Sequence, residues 1–315
     1  MSGCCTPRGI VSARSAPLAP QPGSAPVGAA DASVIAGGTY AIGGSDPDAN
    51  LFDGEGPIRD VQLSSFAVSP YAVTNREWAA FAAATGYVTD AERSGWSFVF
   101  AAFLEAASGV DGFPMTAGTP PWWRAVPGAS WQAPEGPSSS VAGRETHPVV
   151  HVSWHDAAAY CAWRGATLPT EAQWEVAARG GLDRARYPWG DELRPGGAHR
   201  ANLWQGSFPD RDTGEDGYVG TAPVDAFEAN GYGLHNVVGN VWEWTADRWS
   251  RTWHAERSTE TRVDPLGPPT GSDRVIKGGS YLCHASYCNR YRLAARSHND
   301  PHSATGNTGF RCAWR

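Results

Sequence analysis

The chain has 315 residues, 41% of them hydrophobic and 11% aromatic, which is room for one large folded domain or two small ones. A net charge of −7 argues against a nucleic-acid binder, and no stretch is apolar for long enough to span a bilayer. Charged residues are sparse at 18% while glycine (37) and proline (24) are abundant, which predicts many turns and long ordered loops in place of a helical bundle.

Residues 1–32 are rich in Ala, Pro, Ser and Gly and are expected to be a disordered leader, followed by a single domain over 33–315. The leader shows neither a signal-peptide core nor a twin-arginine pair, so a cytoplasmic protein is expected. Cys4 and Cys5 lie in it and receive no role. Val34 to Gly43 reads as a strand, a glycine turn and a strand. Asp46 to Pro57 is an acidic loop, and Arg59 to Val68 a strand.

Thr74-Asn75-Arg76-Glu77 is a capping box. Trp78, Phe81 and Ala82 then share one helical face, and Gly86 stops the helix. Tyr87 to Thr146 fits no element, although it carries Trp96, Trp122, Trp123 and Trp131. His147 to Ser153 reads as a buried strand. Ser153 then caps a helix through Asp156, with Tyr160, Cys161 and Trp163 turned inward and Gly165 at its end. Thr170-Glu171-Ala172-Gln173 opens another helix, closed after Arg179 by Gly180-Gly181.

From Tyr187 onward the pattern is turns and short strands. Asn202 to Tyr218 gathers Asp210, Asp212, Glu215 and Asp216 among glycines, and Asn236 to Trp244 is a second oxygen-rich run. Ca²⁺ takes such mixtures of carboxylate, amide and carbonyl oxygens, but neither run has EF-hand spacing, and composition alone favours solvated acidic loops. Lys277 to Arg292 holds Cys283 and Cys288. Gly278 and Gly279 let the backbone turn or approach closely, and His284, Arg290 and Arg292 are placed to favour thiolate. By spacing alone the pair is a local disulfide, two buried thiols or half a zinc site. The scattered Cys161 and Cys312 supply no second zinc knuckle.

Four strings taken together carry more. They are His147-Pro148-Val149-Val150-His151-Val152-Ser153-Trp154, Leu168-Pro169-Thr170-Glu171-Ala172-Gln173-Trp174-Glu175, Gly239-Asn240-Val241-Trp242-Glu243-Trp244 and Gly278-Gly279-Ser280-Tyr281. Over Ser33 to Arg315 the chain resembles the formylglycine-generating, or sulfatase-modifying-factor, domain. The segment Cys283 to Arg292, with Ala294-Ala295-Arg296-Ser297, resembles that family's catalytic segment.

The resemblance implies an α+β fold, a C-type-lectin-like variant with little regular secondary structure. It implies an oxidoreductase that converts the cysteine of a Cys-x-Pro-x-Arg segment in a type I sulfatase to Cα-formylglycine with O₂. One Cu(I) would be held by Cys283 and Cys288, with Ser280 and Tyr287 placing oxygen or water and Trp242 packed beside the metal. His284, Asn307 and Arg290 would face the substrate, although for Arg290 and Arg292 structural ion pairing is an equal expectation. Two structural Ca²⁺ sites are implied, one from Asn202, Leu203, Asp216 and Tyr218 and one from Asn236, Gly239, Val241 and Glu243. So is a Cys161–Cys312 bridge, while Ala177 and Leu293 replace the cysteines of another family bridge. His302 and Ala304 depart from the family pattern near the substrate cleft. A monomer is expected, with the unfolded or nascent sulfatase as its partner.

Two alternatives remain from the residues themselves. One is a non-haem iron oxygenase using His147 and His151, with Ser153 where an acid would be wanted. The other is a calcium-dependent, lectin-like binding module.

Overall fold

The computed structural model describes residues 6–8, 31–50, 52–106 and 119–315. Most of the expected leader therefore lies outside the described residues, but Thr6–Arg8 are described and docked against the body.

The strands in chain order are β1 (Ser33–Ile35), β2 (Gly38–Ile42), β3 (Arg59–Leu63), β4 (Phe66–Val68), β5 (Trp96–Phe100), β6 (Trp123–Pro127), β7 (Gly206–Ser207), β8 (Arg211–Asp212), β9 (Trp242–Arg248), β10 (Arg274–Lys277), β11 (Arg296–Asn299), β12 (Thr308–Gly309) and β13 (Ala313–Trp314). The helices are α1 (Asn75–Thr85), α2 (Asp90–Ser94), α3 (Ala101–Ala106), α4 (Trp154–Trp163), α5 (Glu171–Arg179) and α6 (Thr259–Arg262).

Local chemistry sets the three expected helices. Thr74, Ser153 and Thr170 each close a reciprocal capping box with Glu77, Asp156 and Gln173. Each box satisfies two N–H groups that would otherwise be orphaned at a helix start. Gly86 and Gly180 end α1 and α5 in left-handed conformations. The same device starts α2, where Thr89 and Glu92 form a box inside the stretch that sequence reading left unassigned.

Two strand expectations change. Arg59 to Val68 is two strands, and they enter different sheets: β3 pairs with β2, whereas β4 lies between β1 and β13. His147 to Ser153 is buried but is not a strand. His151 has φ +58°, which breaks the alternation of faces, and its N–H donates to the Thr305 carbonyl.

The largest sheet among the described residues has the order β11-β10-β9-β12, with β12 parallel to β9 and the other pairs antiparallel. β9 is buried over Trp242–Thr245, and Trp242 and Trp244 are fully enclosed. α5 packs across this sheet, Trp174 donating its indole N–H to Glu243 at 2.7 Å. A core running from Ile35 to Cys312 joins α1, α4, α5 and the sheet, and it includes Trp242, Cys283 and Cys288.

Candidate active site

The cysteine segment starts where β10 ends. Lys277, the last β10 residue, is fully buried and donates to Glu175 of α5 at 3.1 Å. Gly278 follows at φ +93°, and a Cβ there would lie 2.8 Å from the Val237 carbonyl oxygen and against Trp174. Only glycine lets the chain turn so close beneath that indole. From this turn the chain enters Ser280-Tyr281-Leu282-Cys283.

Two short loops then bring the sulfurs together. Cys283 N–H donates to the Ser280 carbonyl at 2.8 Å, and Cys288 N–H reaches back to the His284 carbonyl at 2.7 Å. The Sγ atoms of Cys283 and Cys288 end 3.1 Å apart. Neither is disulfide-bonded, and each is only 2% exposed. Burial pushes the Cys283 thiol well above its usual range, the neighbouring Cys288 adds to this, and the nearby Arg290 opposes it only weakly. The basic neighbours thus do not by themselves produce thiolate. A bound soft cation would, by displacing the protons.

Ser280 and Asn307 are fixed beside the pair. Ser280 N–H donates to Cys283 Sγ at 3.4 Å, and its Oγ accepts from Asn307 Nδ2 at 3.1 Å and from Leu282 N–H at 3.3 Å. Asn307 is fully buried, its Oδ1 accepting from Thr305 at 2.8 Å. Trp242 N–H donates to the Asn307 carbonyl, which ties β9 to this group. Tyr287 stacks on Phe208 with centroids 4.2 Å apart and meets Trp122 edge-on at 5.1 Å. Its ring is thus held by Phe208, which sequence reading did not single out, and by Trp122, to which it gave no role.

A cavity of about 130 Å³ opens beside the pair, lined by Cys283, His284, Tyr291, Trp204, His199 and Arg200 among others. His284 is half-buried, its Nδ1 2.8 Å from Ser286 Oγ. The structure therefore brings Cys283, Cys288, Ser280 and Asn307 together, with His284 at the mouth.

Arg290 and Arg292 are drawn away into structural pairs. Arg290 is buried and its Nε donates to Asp53. Arg292, fully enclosed, forms a fork on Glu55 at 2.5 and 2.7 Å and reaches Asp46 at 2.9 Å. The acidic loop Asp46 to Pro57 is thus a clamp on the far end of the cysteine segment. Its acids were visible in the sequence, but partners 237 residues away were not.

The candidate calcium donors differ in how fully other groups already satisfy them. Asn236 Oδ1 is buried without a hydrogen-bond partner, which an oxygen-seeking cation would answer. Glu243, by contrast, is forked by Arg311 at 2.7 Å on each oxygen and also accepts from Trp174, so its charge is already matched. In the other run, Asp216 Oδ2 accepts from Leu203 N–H at 2.9 Å and Gln205 Nε2 at 2.8 Å, and that same amide donates to the Leu203 carbonyl. Asn202 donates to the Gly220 carbonyl at 2.9 Å, and Tyr218 N–H is held by Asp216 at 3.0 Å. Gly239 N–H bonds the Gly278 carbonyl, joining the second run to the active turn.

His147 and His151 line a different cavity of about 390 Å³ together with Glu135. Glu135 is held by Arg144 at 2.6 and 2.8 Å. Burial pulls His151 down to about 4, so it is neutral. Among the described residues no three His, Cys, Asp or Glu side chains converge as a metal-binding group. The dithiol itself presents two sulfur donors.

The sequence model of the sulfatase-modifying factor enzyme 1-like domain matches residues 19–315. The chain belongs to this family. It is 65% identical over 281 residues, 89% of this chain and 91% of the relative, to a formylglycine-generating enzyme of Thermomonospora curvata. It is also 44% identical over 283 residues, 89% of this chain and 84% of the relative, to a mouse protein named inactive C-alpha-formylglycine-generating enzyme 2. Membership of the family and possession of its activity are therefore separate questions. The fold matches PvdO from Pseudomonas aeruginosa with a TM-score of 0.63 at 23% identity, over 90% of this chain and 93% of that one. The C-type-lectin-like α+β expectation agrees with that match and with the family. Among the described residues no helix is long and apolar enough to cross a membrane.

Proposed function

We propose that this protein oxidises one cysteine of a Cys-x-Pro-x-Arg segment in a type I sulfatase to Cα-formylglycine, with O₂ as acceptor and one Cu(I) held by Cys283 and Cys288. The observation that supports this most is the buried sulfur pair, 3.1 Å apart, with Cys283 lining a cavity. Two sulfurs with no carboxylate beside them are a soft donor set, suited to Cu(I) over Mg²⁺ or Ca²⁺. A copper ion there would supply redox exchange with O₂ and a soft acceptor for the client's thiolate.

The chain's own residues do the rest. Ser280 accepts from Asn307 and Leu282, which leaves its hydroxyl hydrogen to donate to a bound oxygen species or water. Asn307 fixes that hydroxyl and is itself fixed by Thr305. Trp242 and Leu282 keep the site dry, so the sulfurs are not reached by bulk thiols. Tyr287, locked between Phe208 and Trp122, shapes one side of the approach. Two Ca²⁺ ions complete the proposal as structural ligands, with Asn236 Oδ1 the best-supported contact.

The test is direct. Copper-loaded protein, incubated in air with a Cys-x-Pro-x-Arg peptide, should give the mass loss of thiol-to-aldehyde conversion. Cys283→Ala and Cys288→Ala should each abolish turnover and copper binding while keeping the fold. Full turnover by a copper-free preparation holding iron would refute the metal assignment.

A further inference from the structure

Thr6-Pro7-Arg8 lies far from the rest of the described chain in sequence, yet it is seated in the body. Thr6 is 2% exposed and Pro7 is buried. The Pro7 carbonyl accepts from Asn299 Nδ2 at 3.2 Å and from Ser303 Oγ at 2.9 Å, and both side chains are 1% exposed. The Arg8 guanidinium pairs with Asp273, and its Nη2 lies 2.8 Å from His298 Nδ1. His298 is stacked on Trp249 at 4.3 Å and is 2.5 Å from Asp273.

This is a built peptide seat. Two buried donors aim at one backbone carbonyl, and emptied of a peptide they would be left without that partner, a loss that buried polar groups tolerate poorly. The seat closes over a proline, which loses little conformational freedom on binding. An acid sits one residue further on to take a guanidinium. Four residues after Ser303 the same chain segment reaches Asn307, which holds Ser280 beside Cys283. That segment spans at most about 14 Å, so seat and dithiol share one short strip of backbone.

The sequence that runs into the seated Thr6–Arg8 is Cys5-Thr6-Pro7-Arg8. It has a cysteine two residues before a proline, as a Cys-x-Pro-x-Arg client does, and its arginine comes one position earlier. We propose that Asn299, Ser303, Asp273 and His298 form the subsite that grips the Pro-x-Arg end of the client, and that Thr6–Arg8 occupies it in cis as a pseudosubstrate. This rests on the function proposed above. An occupant on the same chain competes at a fixed effective concentration. It therefore raises the client's KM and leaves kcat alone.

The experiment compares client-peptide kinetics for the copper-loaded full chain, a chain beginning at Gly9 and the full chain carrying Arg8→Glu. Both variants should show KM lowered several-fold with kcat unchanged. A synthetic peptide of residues 2–9, with serine replacing Cys4 and Cys5, should restore the high KM competitively. An unchanged KM in both variants overturns the proposal. If no form turns the client over, the function proposed above fails by itself, and peptide binding decides the seat. Fluorescence anisotropy of the labelled 2–9 peptide on the Gly9 chain should then show binding that a Cys-x-Pro-x-Arg peptide displaces. Absence of binding, or binding that the client peptide leaves untouched, overturns it.

Discussion

Replacing Arg292 by methionine tests whether the clamp on the cysteine segment is structural. The substitution keeps most of the side chain's volume and removes its charge. Glu55, 3% exposed, would lose both forks of its bond and keep only the Asn50 N–H at 3.4 Å. Asp46, at 21% side-chain exposure, would turn to solvent at little cost. Breaking one partner of a buried pair costs about 3–5 kcal/mol, a large share of the ~5–15 kcal/mol that holds a folded protein together. Urea unfolding followed by tryptophan fluorescence would read this as a midpoint lowered by about 1–2 M for a slope near 3 kcal/mol/M. Adding Glu55→Gln should recover most of the loss, because the stranded charge is then gone. A loss below about 1 kcal/mol for the single variant, or a double variant as unstable as the single, would refute the reasoning.

Three further outcomes are expected. The Sγ atoms of Cys161 and Cys312 lie 3.5 Å apart, so oxidation should bridge them and raise the melting temperature through a stabilisation of as much as ~3–5 kcal/mol in the chain-entropy limit; the Cys161→Ser/Cys312→Ser variant should lose that response in a thermal melt yet keep copper-dependent turnover. Strong chelators should lower the melting temperature through the loss of an ion bound only by the folded state, and Asn236→Ala should blunt that response in the same melt, whereas Glu243→Ala should destabilise with or without chelator because it strands Arg311. Burial, reinforced by the Glu171 charge, raises Asp247 from its usual 3.8 to about 7; the folded state then binds more protons than the unfolded one, so this group erodes stability as pH rises from about 4 to 7, and Asp247→Asn should flatten that decline in denaturant titrations across the window.

What the sequence disclosed was mostly local. Capping boxes at Thr74, Ser153 and Thr170 act within four residues, so their helices could be read directly, and Thr89 carried the same signal unused. Strand identity was less legible, because pairing is decided by distant partners. Asn236 to Trp244 reads as an oxygen-rich run in isolation, yet its last three residues open β9, which β10 and β12 on either side make an inner strand of the sheet. His147 to Ser153 has the burial of a strand, but the positive φ at His151 cannot be seen in residue types. At the site, the cysteine segment announced itself through spacing and resemblance. The clamp of Asp53 and Glu55, the Phe208 and Trp122 supports and the cavity wall at His199 and Arg200 depend on contacts across the chain.

The sheet β1-β4-β13 joins the beginning and the end of the described body, and Arg311, just before β13, answers the buried charge of Glu243. On the ribosome this makes the closing of both sheets wait for β12 and β13. Until residues 308–314 have left the exit tunnel, β4 lacks a neighbour, β9 lacks its parallel partner β12, and Glu243 lacks the counter-charge with which it is buried. The dithiol hangs from the sheet that holds β9, between β10 and β11. Those closing residues follow the dithiol in the chain, so a nascent chain exposes its sulfurs to solvent until they emerge, and cellular thiol chemistry meets them before the core can shield them.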